Sequence, residues 1–423
     1  MSVLTVSAPA MNTLAKKMMS KPTVLNKRKL ISVLCLAGLL VACGSSPKNY
    51  DDATPLASID IQRDVVPLWA QVTGDVPESA HAQLPVAVDK GRVYIANQTG
   101  DVIVFDAKNG KLQWQVSLNE AISGGPGIGS QRIFLATREA QLVALDKATG
   151  DEQWRQKISA EMLASPIVVD DQLIVQTIDG KVSVYNTQTG KMVWTYGRAI
   201  PKLTLRGTST PVVMGEKILA GFSDGRLVGL DLATGALLWE TTIAVPHGRT
   251  DLERLVDIDG LFQAADDIVY VSSFQGRVAA ISVADGSILW ARDMSSYTGL
   301  AMGKDQIFIT DAESKVWALD GKTGATLWRQ DKLSGRELST PAVLGDTVVV
   351  ADYDGYVHWL SREDGQFLAR QNLEVTWEKL RYVWDDEDPE ERYRSVSVLP
   401  LAVADMLYVR DNIGALTAFQ LTR

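Results

Sequence analysis

The chain has 423 residues, 46% of them apolar and 22% charged. That composition is globular, with length for a large core or two domains. A formal charge of −9 disfavours nucleic acid, whose phosphates call for clustered Lys and Arg. Sparse helix cues, frequent Gly, and short runs of Val, Ile, Trp and Tyr predict an all-β chain.

The N-terminus reads as an address rather than as fold. Lys27, Arg28 and Lys29 precede an apolar run of 12 residues, Leu30 to Val41, and "LVAC" ends at Cys43. A basic start, a short apolar stretch and small residues before a cysteine are a bacterial lipoprotein signal, residues 1–42, cleaved before Cys43. Twelve residues are too few for the roughly 20 that span a bilayer. Cys43 would then carry N-acyl and S-diacylglycerol lipid. Cys35 leaves with the signal, so the mature chain has no thiol for a disulfide in a compartment that permits one. Residues 1–43 hold six basic and no acidic residues, so the mature chain sets 36 basic against 51 acidic, a charge of −15. Residues 43–61 are polar and pattern-poor and read as a lipidated tether. The fold is expected over 62–423.

Six segments then repeat one form. "DVIVFDAKNGKLQW" ends at Trp114, "QLVALDKATGDEQW" at Trp154 and "KVSVYNTQTGKMVW" at Trp194. "RLVGLDLATGALLW" ends at Trp239, "RVAAISVADGSILW" at Trp290 and "KVWALDGKTGATLW" at Trp328. A seventh, "YVHWLSREDGQFLA", has Ala369 in the tryptophan's place. The steps between these ends are 40, 40, 45, 51, 38 and 41 residues. A period near 40 marks a solenoid or propeller. Each copy reads as a hairpin: an apolar strand, an Asp that accepts local backbone N–H groups, a Gly for a left-handed position, and a second strand with a Trp to bury. Two more apolar runs precede each hairpin, as in "SPIVVDDQLIVQTIDG" from Ser165. Four short strands per unit make a propeller blade.

The two ends fix the count. The last hairpin, "GALTAFQLTR", has no partner strand, and near the start "VVPLW" ends at Trp69 with no strand before it. Pairing them closes a ring of eight blades without an exposed edge. An open solenoid would want polar capping repeats.

The D-x-x-T-G-x-x-x-W form resembles the repeat of pyrroloquinoline-quinone dehydrogenases, which makes a quinone enzyme the alternative reading. That resemblance implies a quinone under an adjacent Cys–Cys ring beside calcium, and the mature chain has no such pair. His81, His247 and His358 have no metal-type spacing. "GGPGIG", Gly124 to Gly129, falls where a blade begins and is read as structural. Catalytic and metal-ligating residues are therefore expected to be absent.

Two neighbouring units are over-long, and both extras follow a terminal tryptophan. The first runs "YGRAIPKLTLRGTSTP" from Tyr196, the second "PHGRTDLERLVDIDG" from Pro246. Side by side they would present Leu203, Leu205 and Arg206 beside Glu253, Arg254, Asp257 and Asp259: apolar anchors with a charged rim, as at a protein-docking patch. Trp239 ends one long unit and opens the other, and is expected between the two loops.

The lipobox, eight repeats, "LTLRG" and "ERLVDID" together resemble the BamB family, lipoproteins of the outer-membrane β-barrel assembly machinery. The resemblance implies that Leu203, Leu205 and Arg206 on one loop, and Asp257 and Asp259 on the other, bind the periplasmic POTRA domains of BamA. It also implies a non-catalytic scaffold that assists assembly of outer-membrane β-barrels, and leaves open whether nascent barrel clients are further partners. Gly44 after Cys43, where Asp retains enteric lipoproteins in the inner membrane, implies the outer membrane and a periplasmic face. Where the family has Thr-Pro before the next strand, this chain has Gly260, Leu261 and Phe262. A third insertion, Glu374 to Pro400, carries "DDEDPEER" and reads as a solvated acidic loop.

Overall fold

The computed structural model describes residues 53–74, 84–201, 203, 204, 209–247, 249, 250, 253, 255–258, 260–274, 276–296, 298–374, 376, 395, 396 and 399–422. Within them lie eight four-stranded antiparallel sheets. Residues 87–117, 122–157, 167–197, 212–242, 263–293, 300–330 and 342–372 form blades 1 to 7, each from four consecutive strands. Blade 8 takes three strands from residues 401–421 and its fourth from Val65–Val72. The expected eight-bladed β-propeller is thus what forms. Its closure runs from Val65 paired with Leu421 to Val72 paired with Ala415.

We call the strands of a blade a to d, from the centre outward. First strands are three residues long in every blade but the second, and those of neighbouring blades meet around the axis. In blade 2 this inner strand is Ile122–Ile128, which contains "GGPGI". A Cβ on Gly127 would stand 2.3 Å from the Pro166 carbonyl oxygen, so the glycines let two backbones approach, as their position suggested. Strands b and c are apolar on both sides because both sides face another blade. Val102 to Phe105 and Leu142 to Leu145 are fully enclosed. Outer strands alternate between exposed and half-buried, as in Leu112–Ser117.

The core is divided eight ways. Each hydrophobic cluster fills one interface between adjacent blades. The interface of blade 8 with blade 1 is built like the rest, from Trp69, Tyr408, Leu416 and Ala418 against Val93, Ile95 and Phe105.

The tryptophans make these interfaces, and each serves the blade after its own. Trp194 lies against Gly235 in the next c–d turn, where a Cβ would stand 2.4 Å from the ring. Its Nε1 donates to the Leu232 carbonyl in that same turn, 3.1 Å away. Trp69, Trp154, Trp239, Trp290 and Trp328 repeat the bond to the following turn. The turn glycine therefore meets two demands: a positive φ, +72° at Gly235, and no side chain beneath the neighbour's indole. This also accounts for Ala369. The blade it faces is the composite one, whose c and d strands come from opposite ends of the chain, so there is no turn for a tryptophan to cover.

Candidate docking site

The connectivity sorts the loops onto two faces. The a–b and c–d turns lie on one, the turn face. The b–c turns share the other, the connection face, with the links between blades. Both long segments are such links, between blades 3 and 4 and between blades 4 and 5, so they neighbour one another.

One b–c turn anchors them both. It spans Phe222 to Gly225 in blade 4, closed by the Gly225 N–H to the Phe222 carbonyl at 3.1 Å. Arg198, the first residue of the first link, bonds Asp224 at 2.8 Å and Glu240 at 2.9 Å. Its guanidinium also sits 5.2 Å from the Phe222 ring centre. Burial works against the Arg198 charge, but the hydrogen bond it donates to Glu240 and the charge of Asp224 outweigh it. Its pKa is raised above the ordinary value. The second link starts on the same turn, where the Ile243 and Ala244 N–H groups both donate to the Gly225 carbonyl.

Beyond these anchors the two links carry exposed apolar side chains. Leu203 is 47% exposed, Ile200 45% and Val245 66%, with Ile178 at the rim in the adjacent blade-3 turn. Ile200 is held near that turn: a Cβ at Gly180 would be 2.6 Å from its Cγ2. Leu203 was expected here. Ile178, Ile200 and Val245 were missed; the available signal was an apolar residue in a turn or link where neighbouring units place polar ones.

Leu205, Arg206, Arg254 and Asp259 lie outside the described residues, as does most of Glu374 to Pro400. Asp257 needs a correction. Expected in the charged rim, it is enclosed at 1% exposure. The cause is its neighbours, since Leu255, Val256 and Ile258 are buried too, and Ile258 joins the core between blades 4 and 5. The segment is wedged between two blades. The Ile258 N–H reaches the Phe222 carbonyl at 3.4 Å, and the Asp257 carbonyl accepts from Phe274 N–H at 3.1 Å. The departure at Gly260 and Leu261 has a similar origin: Leu261 bridges in parallel to Gly299, fastening blade 5 to blade 6.

The outer part of this link carries a cap that sequence reasoning passed over. Thr250 Oγ1 accepts from the Glu253 N–H at 3.2 Å, and the Glu253 carboxylate accepts from the Thr250 N–H at 3.1 Å. That reciprocal pair is a capping box, legible as T-x-x-E in "TDLE". Hydrogen bonds from the Arg249 and Thr250 N–H groups hold Glu253 below the usual carboxylate range. Trp239 is the second correction. It turns to the opposite face, donating to the Val283 carbonyl of the next c–d turn at 3.1 Å, because its partner is a glycine turn and not the loops.

A buried Asp352–His358 pair is the other chemically suggestive cluster. His358 Nε2 lies 3.1 Å from Asp352 Oδ2, and its Nδ1 accepts from Arg370 Nε at 3.1 Å. Arg336 Nε occupies the same Asp352 oxygen at 2.6 Å. Both ring nitrogens are engaged within the protein, so the pair organises two arginines and presents nothing to a substrate.

Fold and site together define a closed propeller used as a rigid platform, with two adjacent elaborated links on one face. The family model described as outer membrane protein assembly factor BamB matches residues 56–121, 98–330 and 315–423, and the chain belongs to that family. A Pseudomonas aeruginosa protein described by the same words is 41% identical over 393 residues, covering 92% of this chain and 98% of that one. The crystal structure of BamB from Moraxella catarrhalis has a TM-score of 0.73 at 25% identity, covering 84% of this chain and all of that one. Quinohemoprotein alcohol dehydrogenase from Comamonas testosteroni, at 12% identity and a TM-score of 0.65, covers 85% of this chain and 76% of that one and shares the fold alone.

Proposed function

We propose that this chain is a non-catalytic assembly factor of the outer membrane, held by lipid on Cys43 and facing the periplasm, that docks through its connection face on the POTRA domains of BamA. Family membership supports the assembly role. The observation that carries the docking reading is the exposure of Ile200, Leu203 and Val245 on two links pinned to one turn. Anchors already held in place lose little freedom on binding. Leu203, with Leu205 and Arg206 beside it in sequence, supplies contact; Asp257 positions the second link from inside, and Asp259 follows it. Binding is the mechanism, with the lipid as the only non-protein group. The quinone-enzyme reading gains nothing from the buried Asp352–His358 pair, which is spent on Arg336 and Arg370.

The test is a pull-down with the periplasmic domains of BamA. Leu203→Ala with Arg206→Ala removes two central contacts, each worth about 1–2 kcal/mol at a hot spot, so affinity should fall ~30-fold or more. Unchanged affinity would sink the docking assignment.

A further inference from the structure

The segment just before the closing strand was expected to be a passive tether, yet from residue 53 onward it lies docked on the propeller. Near its start, the Thr54 N–H donates to the Ser334 carbonyl at 2.9 Å. Ser334 belongs to the link between blades 6 and 7, on the connection face. Leu56 packs against the core between those blades, with Phe308, Leu333 and Leu360. Arg370 Nη1 donates to the Ala57 carbonyl at 2.8 Å, and Arg336 Nη1 reaches that of Thr54 at 3.4 Å. Those are the two arginines that Asp352 and His358 hold from within. At the far end the Gln62 and Arg63 N–H groups both donate to the Leu368 carbonyl, 2.8 and 3.2 Å away. Leu368 is the extra residue of the bulge in blade 7's outer strand. Arg63 then pairs with Asp346 in an a–b turn, on the turn face, where Val65 begins its strand beside Leu421.

The path therefore crosses the propeller's outer edge from one face to the other. Without it, the chain N-terminal to Val65 would leave from the turn face, opposite the docking links. With it, the chain leaves at Thr54, from the connection face. We propose that residues 54–63 are a strap that reverses the exit of the lipid anchor, so that membrane and docking partner are met from the same face. This rests on the reading of Cys43 as the lipid site. Thr54 lies eleven positions after Cys43, a span of at most ~40 Å whatever the conformation. From Val65 the separation is 22 residues, at most ~80 Å. The strap thus halves the reach as well as choosing the face.

The full chain, reconstituted in vesicles with acceptor-labelled headgroups, tests this. Fluorophores are placed singly on Lys332→Cys, in the link after blade 6 on the connection face, and Lys322→Cys, in blade 6's c–d turn on the turn face, both exposed. Energy transfer should be stronger from position 332, by about twofold or more for faces a strand length apart. Equal or reversed transfer overturns the proposal. Hydrogen exchange supplies the second readout: the Gln62 and Arg63 amides should be protected, and coil-like exchange there also overturns it. In Leu56→Asp, a change confined to the strap, protection and the transfer ratio must fall together. A ratio that persists after release, or collapses without it, contradicts the strap. Mass analysis of the N-terminal peptide separates the two ideas. Lipid missing from Cys43 defeats the anchor reading while leaving the amides protected; lipid present with unprotected amides defeats the strap alone.

Discussion

Replacing Trp69 with Ala should weaken the ring at its seam. Trp69 is 6% exposed, wedged between Phe105 and Tyr408 with ring centres at 6.3 and 6.0 Å. Removing roughly 200 Å² of apolar surface at about 25 cal/mol/Å² is worth ~5 kcal/mol, an upper value because unfolded chains already bury some of it. The lost Nε1 bond to the Ala107 carbonyl, 3.1 Å, adds little, since Tyr408 Oη still donates to that oxygen at 3.2 Å. Gly110 cannot fill the space. The net expectation is about 4 kcal/mol, within the range for Trp→Ala in cores. Urea unfolding of the full chain followed by circular dichroism measures it. Trp114→Ala is the control: that indole is only half-buried, and its Nε1 has no partner among the described residues, because Arg92 reaches the Lys147 carbonyl that sibling tryptophans would use. It should cost about 2–3 kcal/mol. A loss below about 1 kcal/mol for Trp69→Ala, or one no larger than the control's, would refute the latch argument.

Ala369→Trp, which restores the repeat on paper, should destabilise by about 2 kcal/mol in the same urea assay, since Ala369 is 2% exposed and the site has no room. Gly235→Ala should cost about 3 kcal/mol, combining a left-handed φ with contact on Trp194; a Tm within 1–2 °C of the parent's would contradict it. Burial pushes His358 below its ordinary value, Asp352 opposing and Arg370 adding, and its Nδ1 must stay unprotonated to accept from Arg370. The unfolded chain therefore binds this proton first, and stability should fall as pH drops below about 6.5, by up to ~1.4 kcal/mol per unit; His358→Gln should flatten that part of a pH series of urea midpoints, and an unchanged slope would count against the assignment. Arg198→Ala should lower affinity for the BamA periplasmic domains about 5- to 10-fold by loosening the first link, with Arg198→Lys failing to rescue because Lys lacks the fork that reaches Asp224 and Glu240 together. Calorimetric titration giving parent affinity for either variant would show that the links are not pre-ordered by this residue.

What the sequence made legible follows from what repeats. Strand alternation, the Asp–Gly turn and the tryptophan recur because every blade meets the same constraints, and the missing partners at Trp69 and Gly414 revealed the closure. The pairing of each tryptophan with the next blade's glycine did not show, since about 40 residues separate them and any hairpin could have claimed the ring. Asp257 was readable but misread: in "LVDID" the apolar neighbours, wedged by backbone bonds between two blades, carry the acid inside with them. The strap left no pattern at all. Its contacts are mainly main-chain groups and two arginines about 300 residues away, and a backbone N–H has no letter in a sequence.

The same distinction explains where the proposed functional segments sit in this molecule. Residues under a repeated constraint build the platform: Trp194, Gly235 and their equivalents cannot vary without unseating a neighbouring blade. Among the described segments, the two long links and the strap are free of that constraint, and each is nonetheless fixed at points that the folded ring supplies. Arg198 and Ile243 meet on one turn; Thr54 and Gln62 are held on links and bulges of blades 6 and 7. A closed ring gives such segments constant separations, because no blade moves without straining both neighbours. The distance from the strap's exit at Thr54 to the anchors at Ile200, Leu203 and Val245 is therefore set by the propeller itself. On the proposed lipid and docking sites, a partner bound there would be presented to the membrane at a reach that the length of the chain between Cys43 and Thr54 decides.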